Sequence, residues 1–315
     1  MNPVAALTDP VFRLYLGIVS VVLAASGGVL GVLRWGFRKE IAAVWKTYRS
    51  WLIIAPLMLC AVWAGRVATI IVFTLLGLVG FKEFARATGL YRDWWMTGAV
   101  YIGIVGVALT TLLPSPHGGP PGWYGLFMTL PVYVIALLLV VPIALNRTRG
   151  QLQMLALAIL GFLYIGWMFE HLAFLANSDH PYAYILFLVF AVALNDVAAF
   201  TFGKAFGRHK LRSNISPNKT WEGALGALAF SLALPWLFRS TLPHFGTLQL
   251  VLTGLIVGVG GQLGDLSISV IKRDIGVKDM GTFIPGHGGI LDRTDSLIYT
   301  APLFLHMVDY YYRIW

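Results

Sequence analysis

Cysteine is all but missing from the chain: Cys60 stands alone among 315 residues, inside an apolar run. A disulfide framework and a cysteine-based zinc site are therefore excluded. Cys60 itself reads as a small buried or lipid-facing hydrophobe. Charge is scarce too, with Asp, Glu, Lys and Arg making up 12% of the residues against 58% hydrophobic. An average soluble domain carries about twice that charge, so the balance rules out an ordinary soluble enzyme and a disordered tail. It is the balance of a membrane protein. Acids are the scarcest of all: 14 Asp and Glu face 23 Lys and Arg, a formal net charge of +9. The first residues carry Asp9 and Arg13 and lack a basic n-region with a small-residue cleavage site, so no removable signal peptide is expected. Internal repeats and low-complexity tracts are not evident.

What is present is a series of long apolar runs. A helix needs about 20 apolar residues to cross a hydrocarbon core, fewer when its ends snorkel. Ten such runs are expected as spans: roughly 14–34, 51–65, 67–82, 95–113, 124–145, 152–176, 182–202, 223–238, 247–271 and 296–312. The second and third are short and separated only by Gly65 and Arg66, which reads as a tight helical hairpin, with one long irregular element as the alternative. The expected architecture is an all-α, polytopic helical bundle of about ten transmembrane helices. Residues 1–50 form an added N-terminal helix plus a basic stretch, and 51–315 the main membrane domain. In 36–50, Ile41, Val44, Trp45 and Tyr48 share one helical face apart from Arg38, Lys39, Lys46 and Arg49. That suits an interfacial helix on an anionic leaflet, and equally a solvated connector.

Basic residues concentrate on the cytoplasmic side of membrane proteins. With alternate connections taken as inside, segments 34–50, 82–92, 146–150, 203–222 and 272–295 hold 19 of the 23 Lys and Arg. Only Arg13, Arg66, Arg239 and Arg313 fall on the other side. The split supports the ten-span count and places both termini outside. It also removes nucleic acid as the explanation of the excess charge. The outer loop 114–122, rich in Pro and Gly and free of charge, reads as rigid and extended.

The acids point to the chemistry. Seven of the 14 fall between 196 and 295. Asp196 and Asp265 sit inside apolar runs, Asp265 about 9 Å deep at 1.5 Å per residue. An intramembrane carboxylate is costly unless paired or metal-bound, and is a functional hypothesis by default; the plainer reading is a structural pair with a nearby Lys or Arg. Glu170 and His171, near the outer end of the sixth run, are adjacent, face different ways and read as structural. Downstream, Asp265, Asp292 and Asp295 are hard oxygen donors suited to Mg²⁺. Lys272, Arg273, Lys278 and Arg293 suit a polyphosphate, and Gly286, Gly288 and Gly289 let a backbone approach one. The stretch Ser216-Pro-Asn-Lys219-Thr220-Trp-Glu222-Gly223 repeats the theme at a helix start, without a Walker A pattern. Lys204, Arg208, Lys210 and Arg212 read as inside-positive charges. His287, between glycines, suits a phosphate hydrogen-bond donor.

These residues resemble a known family. Ser269-x-Ile-Lys272-Arg273-x4-Lys278-Asp279-x-Gly281-x2-Ile284-Pro285-x-His287-Gly288-Gly289-Ile290-x-Asp292-Arg293-x-Asp295 looks like the signature of the phosphatidate cytidylyltransferases. Asp196-Val-Ala-Ala-Phe-x-x-Gly203 and Ser216-Pro-x-Lys219-Thr220-x-Glu222-Gly223 resemble further family motifs. The resemblance implies an integral enzyme, in a bacterial inner membrane with its active site at the cytoplasmic face. Its substrates would be CTP and phosphatidate, its products CDP-diacylglycerol and pyrophosphate, and its partners the lipid bilayer and a second copy in a homodimer. It implies Mg²⁺, with a monovalent cation such as K⁺ as a second ion, held by Asp265 and Asp292 with Asp295 and Asp196 beside them. Lys219, Lys272 and Arg293 would serve catalysis, and Ser216, Thr220, Ser269, Arg273, Lys278, His287, Gly288 and Gly289 would bind substrate. The chain departs from the pattern at Ile268 (commonly Glu), Val197 (Thr or Ser), Phe200 (Tyr) and Ser213 (Pro). These departures leave room for a paralogue acting on another lipid phosphate. A CTP-dependent lipid kinase is a further alternative. A cation-coupled transporter is a third, though it would need midplane acids and mirrored halves.

Overall fold

The computed structural model describes residues 1–36, 42–116, 121–281 and 288–312. Thirteen α-helices and one β-hairpin occupy them. The helices are α1 Pro3–Thr8, α2 Pro10–Gly31, α3 Ala42–Ala64, α4 Arg66–Thr88, α5 Trp94–Leu112, α6 Tyr124–Ala144, α7 Gln151–Leu160, α8 Met168–Phe174, α9 Pro181–Phe206, α10 Trp221–Leu237, α11 Thr247–Leu255, α12 Gly261–Asp274 and α13 Leu291–Tyr312. Wide π-helical turns over Gly161–Trp167 and Ile256–Gly260 join α7 to α8 and α11 to α12. Each pair then runs as one rod.

Every one of the ten expected spans falls on a helix. Among the described residues, eight stretches are long and apolar enough to cross a membrane, from Pro10–Arg34 to Thr247–Asp274. The protein is an all-α polytopic membrane protein. The two remaining spans are α10, with 17 residues, and α13, whose first turns carry Asp292, Arg293 and Asp295. The hairpin reading of 51–82 holds: α3 ends at Ala64, Gly65 turns at φ +110°, and α4 starts at Arg66 and packs back on α3. That φ lies where an L side chain is strained, so the turn requires glycine.

Two other expectations meet a different geometry. Residues 37–41, with Arg38, Lys39 and Ile41, lie outside the described residues. From Ala42 the chain runs without a break into the second span, so Trp45 and Tyr48 are the first turns of α3 rather than a separate helix. No helix breaker stands between Ala42 and Pro56, and Tyr48 donates to the Leu23 carbonyl at 2.9 Å, fastening these turns to α2. In the outer loop Pro114 and Pro121 form an isolated antiparallel bridge, while 117–120 lie outside the described residues.

The helix ends obey local rules. Asp9 Oδ1 accepts from Val11 and Phe12 N–H at 2.8 and 2.9 Å, opening α2 with Pro10 in its first turn. Asp93 accepts from Met96 N–H to open α5. Arg66 donates to the carbonyls of Thr111 and Leu112 and to Asn177, satisfying the orphaned end of α5. The interior is aromatic, with Phe73, Phe81, Phe127, Phe162 and Phe169 fully enclosed between α4, α6 and the α7–α8 rod.

α13 is the central post, packing against α4, α8, α9, α11 and α12. Its approach to α12 depends on Gly264. A Cβ there would strike the Asp295 carbonyl and sit 2.8 Å from Ser296 Cα. Gly264→Ala should therefore cost about 1–3 kcal/mol by overpacking, seen as a lower unfolding midpoint in detergent. Gly98→Ala, with nothing within 4 Å of its Cβ, should leave the midpoint unchanged.

Candidate active site

Four helices and the hairpin enclose one polar cavity of about 590 Å³. Strand β1 (Lys210–Arg212) pairs antiparallel with β2 (Ser216–Thr220), Lys210 opposite Thr220 and Arg212 opposite Ser216. Thr220 Oγ1 then accepts from Gly223 N–H at 3.2 Å, capping α10. Glu222, in the first turn of α10, accepts from Arg208 N–H at 3.0 Å and from His209 Nδ1 at 2.6 Å. Arg273 Nε donates to the Ile215 carbonyl at 3.2 Å, tying the end of α12 to the hairpin. These bonds hold Lys219 over the end of the bundle.

Each acid arrives by helical periodicity. On α12, Asp265, Ser269 and Lys272 are spaced four and three apart and share one face. On α13, Asp292 and Asp295 are three apart and face α12. Asp196 comes from α9. All four carboxylates line the cavity together with Lys219, Lys272 and Arg293.

The carboxylates are partnered within the site. Lys219 Nζ lies 2.7 Å from Asp265 Oδ2, and Ser269 Oγ donates to Asp265 Oδ1 at 3.2 Å. Lys272 Nζ lies 2.8 Å from Asp292 Oδ1, while Asp292 Oδ2 accepts from Met280 and Gly289 N–H, both at 2.9 Å. Asp295 Oδ1 accepts from Ser296 N–H at 2.8 Å, and Ser296 Oγ donates to Asp196 Oδ1 at 3.4 Å. The Lys272–Asp292 pair is the more enclosed, with side chains 11% and 5% exposed.

The other expected site residues take different places. Ser269 acts on Asp265 rather than on the cavity. Thr220 is on the cavity wall while its hydroxyl oxygen also caps α10, and Arg273 bonds to the carbonyls of Ile215 and Val277. Ser216, Lys278, Gly288 and Gly289 are not on the cavity wall; Gly289 contributes its N–H to Asp292. His287 and Gly286 lie outside the described residues. Glu170 and His171 are buried in α8, away from the cavity.

Several residues on or behind the wall were not singled out from the sequence as site residues. Gln262, Asn218, Asp279 and Lys204 line the cavity. Gln262 was readable as an amide inside the ninth apolar run, three residues before Asp265; it donates to the Ala224 carbonyl at 2.9 Å. Glu83 of α4 is buried and bonds to the start of α13. Beside Lys82 at the end of an apolar run, it carries no signal of that role in the sequence.

Among the described residues no three His, Cys, Asp or Glu side chains converge as a closed metal cage. The donor set nevertheless fits Mg²⁺, which usually takes one or two carboxylates and completes its shell with water and substrate phosphates. Asp265 and Asp292 supply such oxygens, and each already holds a cationic ammonium group. Breaking the enclosed pair is expected to be expensive: Lys272→Met should destabilise the protein by about 3–5 kcal/mol. Adding Asp292→Asn to that variant should recover part of the loss in thermal unfolding, because the stranded charge is removed.

Comparison with known proteins bears on what this site does. A model of the cytidylyltransferase family matches residues 45–311. Over 268 residues the chain is 31% identical to "Uncharacterized protein YnbB" of Escherichia coli K12, covering 83% of this chain and 86% of that protein. Over 245 residues it is 33% identical to a phosphatidate cytidylyltransferase of Staphylococcus aureus, covering 76% and 89%. A phosphatidate cytidylyltransferase of Staphylococcus epidermidis is 39% identical over 160 residues, half of this chain and 61% of that one. The matched region takes in α4 to α12 and most of α13, and so the whole cavity. The chain belongs to the cytidylyltransferase family and is a membrane-embedded nucleotidyltransferase.

Proposed function

We propose that the protein joins CTP to phosphatidate, releasing pyrophosphate and forming CDP-diacylglycerol. The carrying observation is the cavity in which Lys219, Lys272 and Arg293 stand beside Asp196, Asp265, Asp292 and Asp295, at the end of the bundle where two basic connections meet. Family membership and the names of the staphylococcal relatives support the substrates. The 19:4 distribution of basic residues supports a cytoplasmic opening of the cavity. There a soluble nucleotide meets a lipid head group. The organism names of the relatives support a bacterial membrane, and the family resemblance supports a homodimer.

An oxygen of the phosphatidate phosphomonoester attacks the α-phosphorus of CTP. The bond from that phosphorus to the bridging oxygen breaks, and pyrophosphate leaves with its electron pair. The nucleophile is already anionic near neutral pH, so no strong base is needed; the site has to position two polyanions and offset their repulsion. Lys219 and Lys272, each released from its carboxylate toward an arriving phosphate, supply mobile positive charge, and Arg293 supplies a fixed fork. Asp265 and Asp292 would hold Mg²⁺, which when bound supplies Lewis-acid polarisation of phosphate oxygens. Asp295 and Asp196 line the same cavity, and both bond to Ser296.

Purified protein with CTP, Mg²⁺ and phosphatidate should form CDP-diacylglycerol. Asp292→Asn should still insert in the membrane while its turnover falls by roughly 10²–10³-fold, the scale of losing one electrostatic contact to the transition state. Near-normal CDP-lipid formation by that variant would overturn the assignment of Asp292.

A further inference from the structure

Glu83 lies near the end of α4, more than two hundred residues before the acids α13 contributes. It does not line the cavity, and it is only 8% exposed. Its two oxygens accept separately from the start of α13: Oε1 from Ile290 N–H at 3.1 Å, Oε2 from Leu291 N–H at 2.9 Å. Gly281 and Gly289 press on the same carboxylate, and a Cβ on either would collide with its oxygens. A Cβ on Gly80, one turn earlier on α4, would lie 3.7 Å from the Leu291 side chain. A single acid from a distant helix thus fixes where α13 begins.

The neighbouring amides go elsewhere. Met280 and Gly289 N–H both donate to Asp292 Oδ2. Two carboxylates therefore divide four backbone donors, and Asp292 Oδ1 is left for Lys272 at 2.8 Å. The division has a physical reason. The first amides of a helix lack partners inside it, and a carboxylate in the first turn is drawn to them. Asp292 sits in that turn. With Ile290 and Leu291 already satisfied by Glu83, Asp292 keeps one oxygen that, among the described residues, takes no backbone donor and bonds to Lys272.

We propose, on the nucleotidyl-transfer reading given above, that Glu83 is a positioning residue: it occupies the α13 amides so that Asp292 presents Oδ1 to the incoming Mg·CTP. A plain cap would only hold the helix end. A positioning residue sets the affinity of a site it never touches, as partners one layer behind metal ligands do. Glu83→Gln keeps the shape but turns an NH₂ group toward a backbone N–H. One amide is then left open and Asp292 turns to it.

The test is calorimetric titration of detergent-purified protein with CTP in saturating Mg²⁺, which yields affinity and the number of competent sites separately. Glu83→Gln should weaken CTP binding about tenfold with the site number unchanged, within the range seen for such partners. Glu83→Asp, which keeps the charge on a shorter arm, should fall between it and the parent. Gly281→Ala, whose new Cβ displaces the Glu83 carboxylate, should weaken binding in the same direction and provides a second arm if Glu83→Gln folds poorly. A lower melting temperature or fewer competent sites with unchanged affinity in both Glu83→Gln and Gly281→Ala would reduce Glu83 to a structural cap. Failure of the parent protein itself to bind Mg·CTP would instead overturn the functional reading and this inference with it.

Discussion

A carboxylate set into an apolar bundle must be neutralised, and the crossing of α12 and α13 is organised around that requirement. Burying an unpaired charge costs far more than the marginal stability of a fold allows. Here each acid has its own solution. Lys272 and two amides serve Asp292, Lys219 and Ser269 serve Asp265, and Asp295 and Asp196 share Ser296. The close approach at Gly264 brings the two helices near enough for this network to form. The hairpin and the first turn of α10 then serve to hold Lys219 against it.

The same network makes the site receptive to phosphates. Lysine ammonium groups are compact charges on flexible stems, so they can leave a carboxylate for a phosphate when a substrate arrives. What is a stabilising pair within the protein becomes a set of donors and acceptors for a nucleotide carrying its own cation. Stability and chemistry draw on the same residues, which explains why the scarce acids of the chain are concentrated in the helices and loops around one cavity.

Much of this was legible in the sequence. Asp196 and Asp265 stood out because they interrupt apolar runs, and Asp292, Asp295, Lys272 and Arg293 because they share a dense, short-range motif. Helix count followed from run length, and the Gly65 hairpin from a glycine between two short runs. The rest depended on contacts that spacing does not carry. The β-hairpin has no alternating pattern and contains Pro217; Glu222, His209 and Arg273 set it by tertiary bonds. The pairing of Lys219 with Asp265 and of Lys272 with Asp292 joins separate elements. Glu83 was the hardest to see, since its partners lie 207 and 208 residues away. Arg273 shows the reverse: a residue with the right chemistry in the right motif, whose guanidinium bonds to backbone carbonyls.

The central claim is that this cavity transfers a cytidylyl group onto a lipid phosphate. Parallel reactions with CTP labelled at the α- or at the γ-phosphate, followed by separation of lipid from water-soluble products, test it most directly. The account predicts α-label in the lipid fraction and γ-label in released pyrophosphate, in equal amounts. Label from the γ-phosphate in the lipid, with cytidine left soluble, would make the protein a kinase and contradict it.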